Sequence, residues 1–196
     1  MENTSSQERR ARERTDVRGR IVKTALKILE GEGASALTMR RVASDMGYTA
    51  PIIYQHFANK DALVLELVER GYHSLAAELQ RPIETDIDRC FLHIAAQYVA
   101  FAGKHPHLYE AMNGTAVEAE KRRNAAAPVF QVLLELLTTW SETHDIELTD
   151  SMEACEIIWG TLYGMASIGR LDTIGNKRAQ HLAAEALSSI LKGWQN

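Results

Sequence analysis

Apolar residues recur along this chain at helical spacing, and polar breaks divide them into segments. Ile21, Ala25, Ile28 and Leu29 fall at i, i+4, i+7 and i+8, with Val22 and Leu26 beside them, which predicts one helix face. Gly31 and Gly33 are expected to stop it. Thr38 can cap a second helix with Val42, Ala43 and Met46 on one side, and Gly47 can end it in a left-handed turn. A third, short helix can start at Thr49, with Pro51 in its first turn, where the missing N–H costs nothing. In it Ile53 and Phe57 point one way, and Tyr54, Gln55 and His56 point mostly elsewhere. Asn59 can cap a fourth helix, with Asp61 near its positive end. Leu63, Leu67 and Tyr72, with Val64, Val68 and Leu75, give that helix an apolar stripe to about Leu79, and Pro82 is expected to end it.

The rest of the pattern is also helical. Ile87–Gly103 carries Phe91, Ile94, Ala95, Tyr98 and Ala102 on one face. Pro106 opens a short helix over His105–Met112. Thr115–Thr143 predicts a long helix, with a break near Pro128, carrying Val129, Val132, Leu133, Leu136, Leu137 and Trp140. Asp150–Arg170 places Cys155, Ile158, Trp159, Leu162 and Ala166 on one side and Ile157, Met165 and Ile168 on the other, so it is covered on more than one side. Lys177–Trp194 carries Leu182, Ala183, Ala186, Leu187, Ile190 and Leu191. Only the first 16 residues lack an apolar face. They hold Arg9, Arg10, Arg12 and Arg14 among Glu, Gln and Ser, and are expected to be disordered or loosely helical.

Composition supports an all-α fold. Ala and Leu number 26 and 20 against 9 Val, so helix formers outweigh β-branched residues. The longest runs free of charge are 14 residues, such as Cys90–Gly103, too short for a membrane span of about 20. No apolar segment follows the charged start, so no secretion signal is expected, and two cysteines suit a reducing, cytoplasmic setting.

Charge changes the picture more. The formal net charge of −4 argues against nucleic acid only as an average. Residues 1–60 carry a net of +4 and residues 61–196 a net of −8, which suggests a basic module joined to an acidic one. Two short helices about a Gly-containing turn, within the basic part, form the helix-turn-helix pattern.

The run from Arg18 to Leu63 resembles the DNA-binding domain of the TetR family of transcriptional regulators. The resemblance rests on Ile21, Ala25, Gly31, Leu37-Thr38, Val42-Ala43, Gly47, Tyr54, His56-Phe57, Lys60 and Leu63, in that order. It implies a TetR-like all-helical homodimer, with a three-helix DNA-binding domain and a C-terminal helical domain for ligand binding and dimerisation. The domains expected are an Arg-rich arm at 1–16, the helix-turn-helix domain at 17–62 and the helical body at 63–196. A weaker likeness, over Tyr98–Met112 and Trp159-Gly160-x-Leu162-Tyr163-Gly164, is to a subgroup named for a Trp-His-Gly signature, with Tyr163 where the His is usual.

The residue chemistry suits that reading. A helix in the major groove reads base edges with a few side chains. Arg40, Thr49, Ala50, Pro51, Tyr54 and Gln55 are the candidates: Arg40 for a guanine edge, Gln55 for adenine, Ala50 and Pro51 for a thymine methyl. Thr38, Tyr54, His56 and Lys60 are candidates for phosphate. The arm adds electrostatic affinity, reaches the minor groove, or is a solubilising tail. Phe91, Tyr98, Phe101, Tyr109, Met112, Trp140, Trp159 and Tyr163 are candidates for an apolar ligand pocket, or for ordinary core. Gly160, Gly164, Leu182, Ala186, Leu187 and Ile190 are candidates for the dimer interface, with Gly169 and Ala166 adding small surfaces. His105 and His107 lack a third ligand, so no metal is expected, and no cofactor either. Cys90 and Cys155 read as buried thiols. No nucleophile–base set marks an enzyme. The function expected is a repressor released from a palindromic operator by a small apolar ligand. The alternatives are a small-molecule carrier or adaptor and, behind it, a helical enzyme.

Overall fold

The computed structural model describes residues 2–80, 86–171 and 173–195. Among them the regular structure is entirely helical: α1 (Glu2–Glu32), α2 (Met39–Asp45), α3 (Ala50–Tyr54), α4 (Lys60–Leu79), α5 (Ile87–Lys104), α6 (Pro106–Asn113), α7 (Ala119–His144), α8 (Ser151–Arg170) and α9 (Asn176–Trp194).

Local chemistry sets most boundaries. The Thr38 hydroxyl accepts from the Arg41 N–H at the start of α2, and the Asn59 side chain accepts from the Ala62 N–H at the start of α4. Asp86 and Asp150 cap α5 and α8 in the same way. Gly47 sits at φ +69 after α2 and Gly33 at φ +82 after α1, backbone that residues with a Cβ rarely adopt. Pro82 lies outside the described residues.

Three sequence expectations change. Residues 2–16, expected as a disordered or loosely helical arm, are helical and form the first half of α1. They are rich in good helix formers, and Arg9 pairs with Glu13 one turn on. Gly31 lies within α1, and the turn comes at Gly33. Pro128 lies inside an unbroken α7, which starts at Ala119 rather than Thr115. The carbonyl Pro128 leaves without a donor is that of Asn124, an exposed residue whose carbonyl is open to solvent.

Helices α1, α2 and α3 pack with the start of α4 around Ile21, Ala25, Leu29, Leu37, Val42, Ile53, Phe57 and Leu63, all buried. Helix α4 continues into the body, where α5 packs against α4, α7, α8 and α9. Leu67, Tyr72, Phe91, Tyr98, Val129, Leu133, Ile158, Leu162 and Leu187 fill this second core. Two contacts around α6 tie the modules together: His105 bonds Glu30 of α1, and His107 lies against Gly33 just after α1.

Candidate nucleic-acid interface

Helix α3 has five residues, too few to be stable alone. It is held because Ile53 and Phe57 are 0% and 2% exposed in the front core. That anchoring turns Pro51, Tyr54 and Gln55 outward, and Tyr54 is 53% exposed. Ala50 is half-buried against the core, so only part of it is available for a thymine methyl. Thr49 starts α3 without using its hydroxyl as a cap, which leaves that hydroxyl free on an exposed residue. Thr38 is exposed too, although its oxygen caps α2.

Two adjacent arginines of α2 behave differently. Arg41 is held by Glu32 at 2.8 Å and by Asp45 at 3.0 Å, and these bonds raise its already high pKa. Arg40 is exposed and makes no hydrogen bond or ion pair with the described residues. Its guanidinium is free to meet a guanine edge or a phosphate.

The phosphate candidates are more constrained. Lys60 donates to the Ala34 carbonyl at 3.0 Å, which ties the start of α4 to the loop after α1 and leaves two N–H donors. Burial, with Arg14 and Arg18 nearby, pushes the His56 pKa below its ordinary value. Desolvation and the two neighbouring cations thus disfavour the charged imidazolium in the free protein.

Arg14, Arg18 and Arg20 are neighbours of α3 and of the turn before it that the sequence did not connect with them. Arg14 donates to the Gln55 carbonyl at 3.3 Å and Arg18 to the His56 carbonyl at 2.9 Å. Arg18 also pairs with Glu66 at 2.5 Å and lies 4.1 Å over the Phe57 ring. Burial raises the Glu66 pKa, but the bonds from Arg70 and Arg18 outweigh this and hold it below its ordinary value. Arg20 donates to the Tyr48 hydroxyl at 3.0 Å in the turn between α2 and α3. The only signal in the sequence was the i, i+4 spacing of Arg14 and Arg18. Their partners lie about forty residues away.

The exposed set of Arg40, Thr38, Thr49, Pro51, Tyr54 and Gln55 is thus carried by two helices around one turn. It combines a guanidinium, hydroxyls, an amide and apolar surface. A major groove about 12 Å wide admits such a helix and offers acceptors, donors and thymine methyls to it.

The body divides the aromatic candidates. Tyr98, Tyr109, Met112, Trp159 and Tyr163 come together near Tyr72. The Tyr98 and Tyr109 hydroxyls are 3.3 Å apart, and Tyr72 donates to the Met112 carbonyl. Trp159 packs on Tyr98, Tyr72 and Phe130, and Tyr163, which is exposed, stacks on Tyr109. Phe101 lies against His105. Phe91 and Trp140 form a different cluster with His144 and Trp194, where Asp88 accepts from Trp140 at 2.8 Å. Eight residues from one sequence pattern therefore do not line one pocket.

The dimer candidates divide similarly. Gly160 and Gly164 face open space, and Leu182, Ala186 and Ile190 are not fully buried. Leu187 is 0% exposed inside the subunit and cannot meet a partner. Gly169 and Ala166 are also internal, with Gly169 against Ala179 of α9. The outer face of α8 instead presents Ile157, Tyr163 and Ile168, with Leu171 just past its end. Cys155 is buried, and that burial, with Glu156, pushes its thiol up to about 11. Among the described residues no His, Cys, Asp and Glu group is arranged to hold a metal, and no helix is long and apolar enough to cross a membrane.

Comparison with known proteins adds to this geometry. Residues 21–67 match the family described as bacterial regulatory proteins, tetR family, and residues 91–188 match the tetracyclin repressor-like C-terminal domain. The chain is 43% identical over 49 residues to the class C tetracycline repressor protein of Escherichia coli, a match covering 25% of this chain and 22% of that one. It is 30% identical over 92 residues to YobS, an uncharacterized HTH-type transcriptional regulator of Bacillus subtilis (strain 168), covering 46% of this chain and 48% of that protein. The matched part thus spans about half or less of these two relatives. The TetR family transcriptional regulator PfmR from Thermus thermophilus shares the fold at a TM-score of 0.64 and 19% identity, covering 88% of this chain and 97% of that one.

Proposed function

The chain belongs to the TetR family of bacterial regulatory proteins, and from that premise we propose that it is a non-enzymatic, DNA-binding transcriptional regulator. It acts as a homodimeric repressor on a palindromic operator and is released by a small apolar ligand. The observation that carries the DNA reading is the presentation of α3. Ile53 and Phe57 anchor it from inside, while Pro51, Tyr54 and Gln55 face out beside an unpaired Arg40.

The domains follow from this. Residues 17–62 bind duplex DNA, and residues 63–196 bind the effector and the second subunit. The exposed apolar face of α8, with Gly160 and Gly164 open beside it, supports a two-fold helix-pair interface. Two-fold symmetry then matches operator symmetry. The cluster of Tyr98, Tyr109, Met112, Trp159 and Tyr163 is where an apolar effector enters the body, by parting rings that are packed in this state. Trp159 and Gly164 fit the Trp-His-Gly subgroup signature, and Tyr163, standing where the His is usual, departs from it. A cytoplasmic location accords with this role.

Release requires an effector that binds two quaternary geometries with different affinity. Helix α4 carries the change, because it starts after Asn59 beside the reading helices and ends in the body core. The test is selection of duplexes from a random pool by the purified protein. An inverted repeat, bound by dimers with steep salt dependence, is the expected result. Failure to enrich any duplex at low salt would overturn the reading.

A further inference from the structure

We propose that Arg14 and Arg18 are positioning residues for DNA reading, clamping the C-terminal end of α3 so that Tyr54 and Gln55 keep a fixed aim. The proposal rests on the DNA-binding reading above.

Helix α3 is short, and its last carbonyls have no partner within the helix. Two of the carbonyls at its end, those of Gln55 and His56, each receive a guanidinium from α1, Arg14 at 3.3 Å and Arg18 at 2.9 Å. A cation there also suits the negative end of a helix. Arg18 uses its planar fork in two directions. One nitrogen holds the His56 carbonyl, the other holds Glu66 of α4, and the plane covers the Phe57 ring. Glu66 in turn takes Arg70 on its other oxygen. The end of α3 is therefore fixed to α1 and α4 together. The two side chains face protein carbonyls, so their effect on DNA passes through the angle of α3 and not through phosphate.

A lysine keeps the charge of Arg18 but cannot hold two partners and cover a ring at once. This separates a clamp from a phosphate contact. Using the selected operator and an unrelated duplex, affinities of the full-length protein are measured over a range of salt for Arg18→Lys and Arg14→Met. Thermal midpoints are taken alongside. Arg18→Lys is expected to lose about tenfold in operator affinity while its affinity for unrelated DNA stays unchanged. Arg14→Met is expected to lose less, with the slope of log affinity against log salt preserved. Both midpoints are expected to stay close to that of the parent. Full operator affinity in both variants overturns the proposal. So does a salt slope reduced by about one unit in Arg14→Met, which marks a direct phosphate contact. If Arg18→Lys melts early, Arg14→Met decides alone. If the parent protein selects no duplex, the DNA reading itself has failed, which is a separate outcome.

Discussion

Glu30, near the end of α1, and His105, where α5 turns into α6, are joined by a 2.5 Å contact between a carboxylate oxygen and the imidazole Nδ1. The two residues lie 75 positions apart and belong to different modules. This bond and the seat of His107 against Gly33 connect the front module to α6. Glu30→Gln and His105→Ala, taken singly and together through urea unfolding, should show a coupling energy of about 1 kcal/mol. Strict additivity of the two changes would mean that the contact holds nothing.

The interior tyrosines set the response to alkali. Burial raises the pKa of Tyr72 from 10.0 to about 12, and burial likewise raises Tyr98 and Tyr109. A group whose folded pKa is raised binds more protons when folded. Its contribution to stability is complete below its unfolded value and is lost as pH climbs through the folded one. Thermal midpoints should therefore fall from about pH 10 upward, and the fall should be shallower in Tyr98→Phe. That variant should also cost about 1 kcal/mol at neutral pH, since it leaves the Tyr109 hydroxyl without its partner. An alkaline profile identical to that of the parent would contradict the assignment.

The elements were legible because their signals are local. Thr38 and Asn59 cap as their sequence neighbours suggest, and Gly47 turns left-handed where the apolar pattern stops. Ile53 and Phe57 alone decide which way α3 faces, so the outward set was legible too. What the sequence hid depends on contacts between distant positions. The spacing of Arg14 and Arg18 says nothing of carbonyls at 55 and 56. Phe91 and Tyr98 share a stripe on α5, yet about two turns of helix separate them and send them to different ring clusters. Leu182 and Leu187 look alike in the pattern of α9, but only Leu187 is fully buried. Pro128 broke a local rule at a point where the orphaned carbonyl is open to solvent.

Glycines on α8 make opposite predictions. A Cβ on Gly169 would lie 2.7 Å from the Ala179 Cβ, and neither atom can move without its backbone. Alanine gains up to about 1 kcal/mol over glycine in a helix interior, but overpacking costs roughly 1–3 kcal/mol. Gly169→Ala should lower stability on balance, and Ala179→Gly should restore part of the loss. Gly160 has nothing within 4 Å, so Gly160→Ala should raise the stability of the isolated subunit. Gly160→Leu should leave the subunit folded and weaken self-association in sedimentation if α8 meets its copy. Unchanged association would move the interface elsewhere.

Arg40 and Arg41 are neighbours in sequence with the same charge, so composition and total field cannot distinguish them. Their surroundings do. Arg41 is tied to Glu32 and Asp45 on the protein, whereas Arg40 has no partner among the described residues. An arginine already neutralised releases few counterions on meeting DNA, and an unpaired one releases its share. Arg40→Ala should weaken operator binding by about 1–3 kcal/mol and reduce the salt slope by about one unit if it meets a phosphate. If it reads a guanine instead, the slope changes less and discrimination at one base position relaxes. Arg41→Ala should leave DNA affinity and salt slope matching the parent and change the melting point little, because its ion pairs hold it to the protein but are exposed. Fluorescence anisotropy titrations across a salt series, with melting curves for both variants, separate the two roles. Equal losses of DNA affinity in the two variants would show that net charge alone governs binding and that the free side chain of Arg40 has no special place in it.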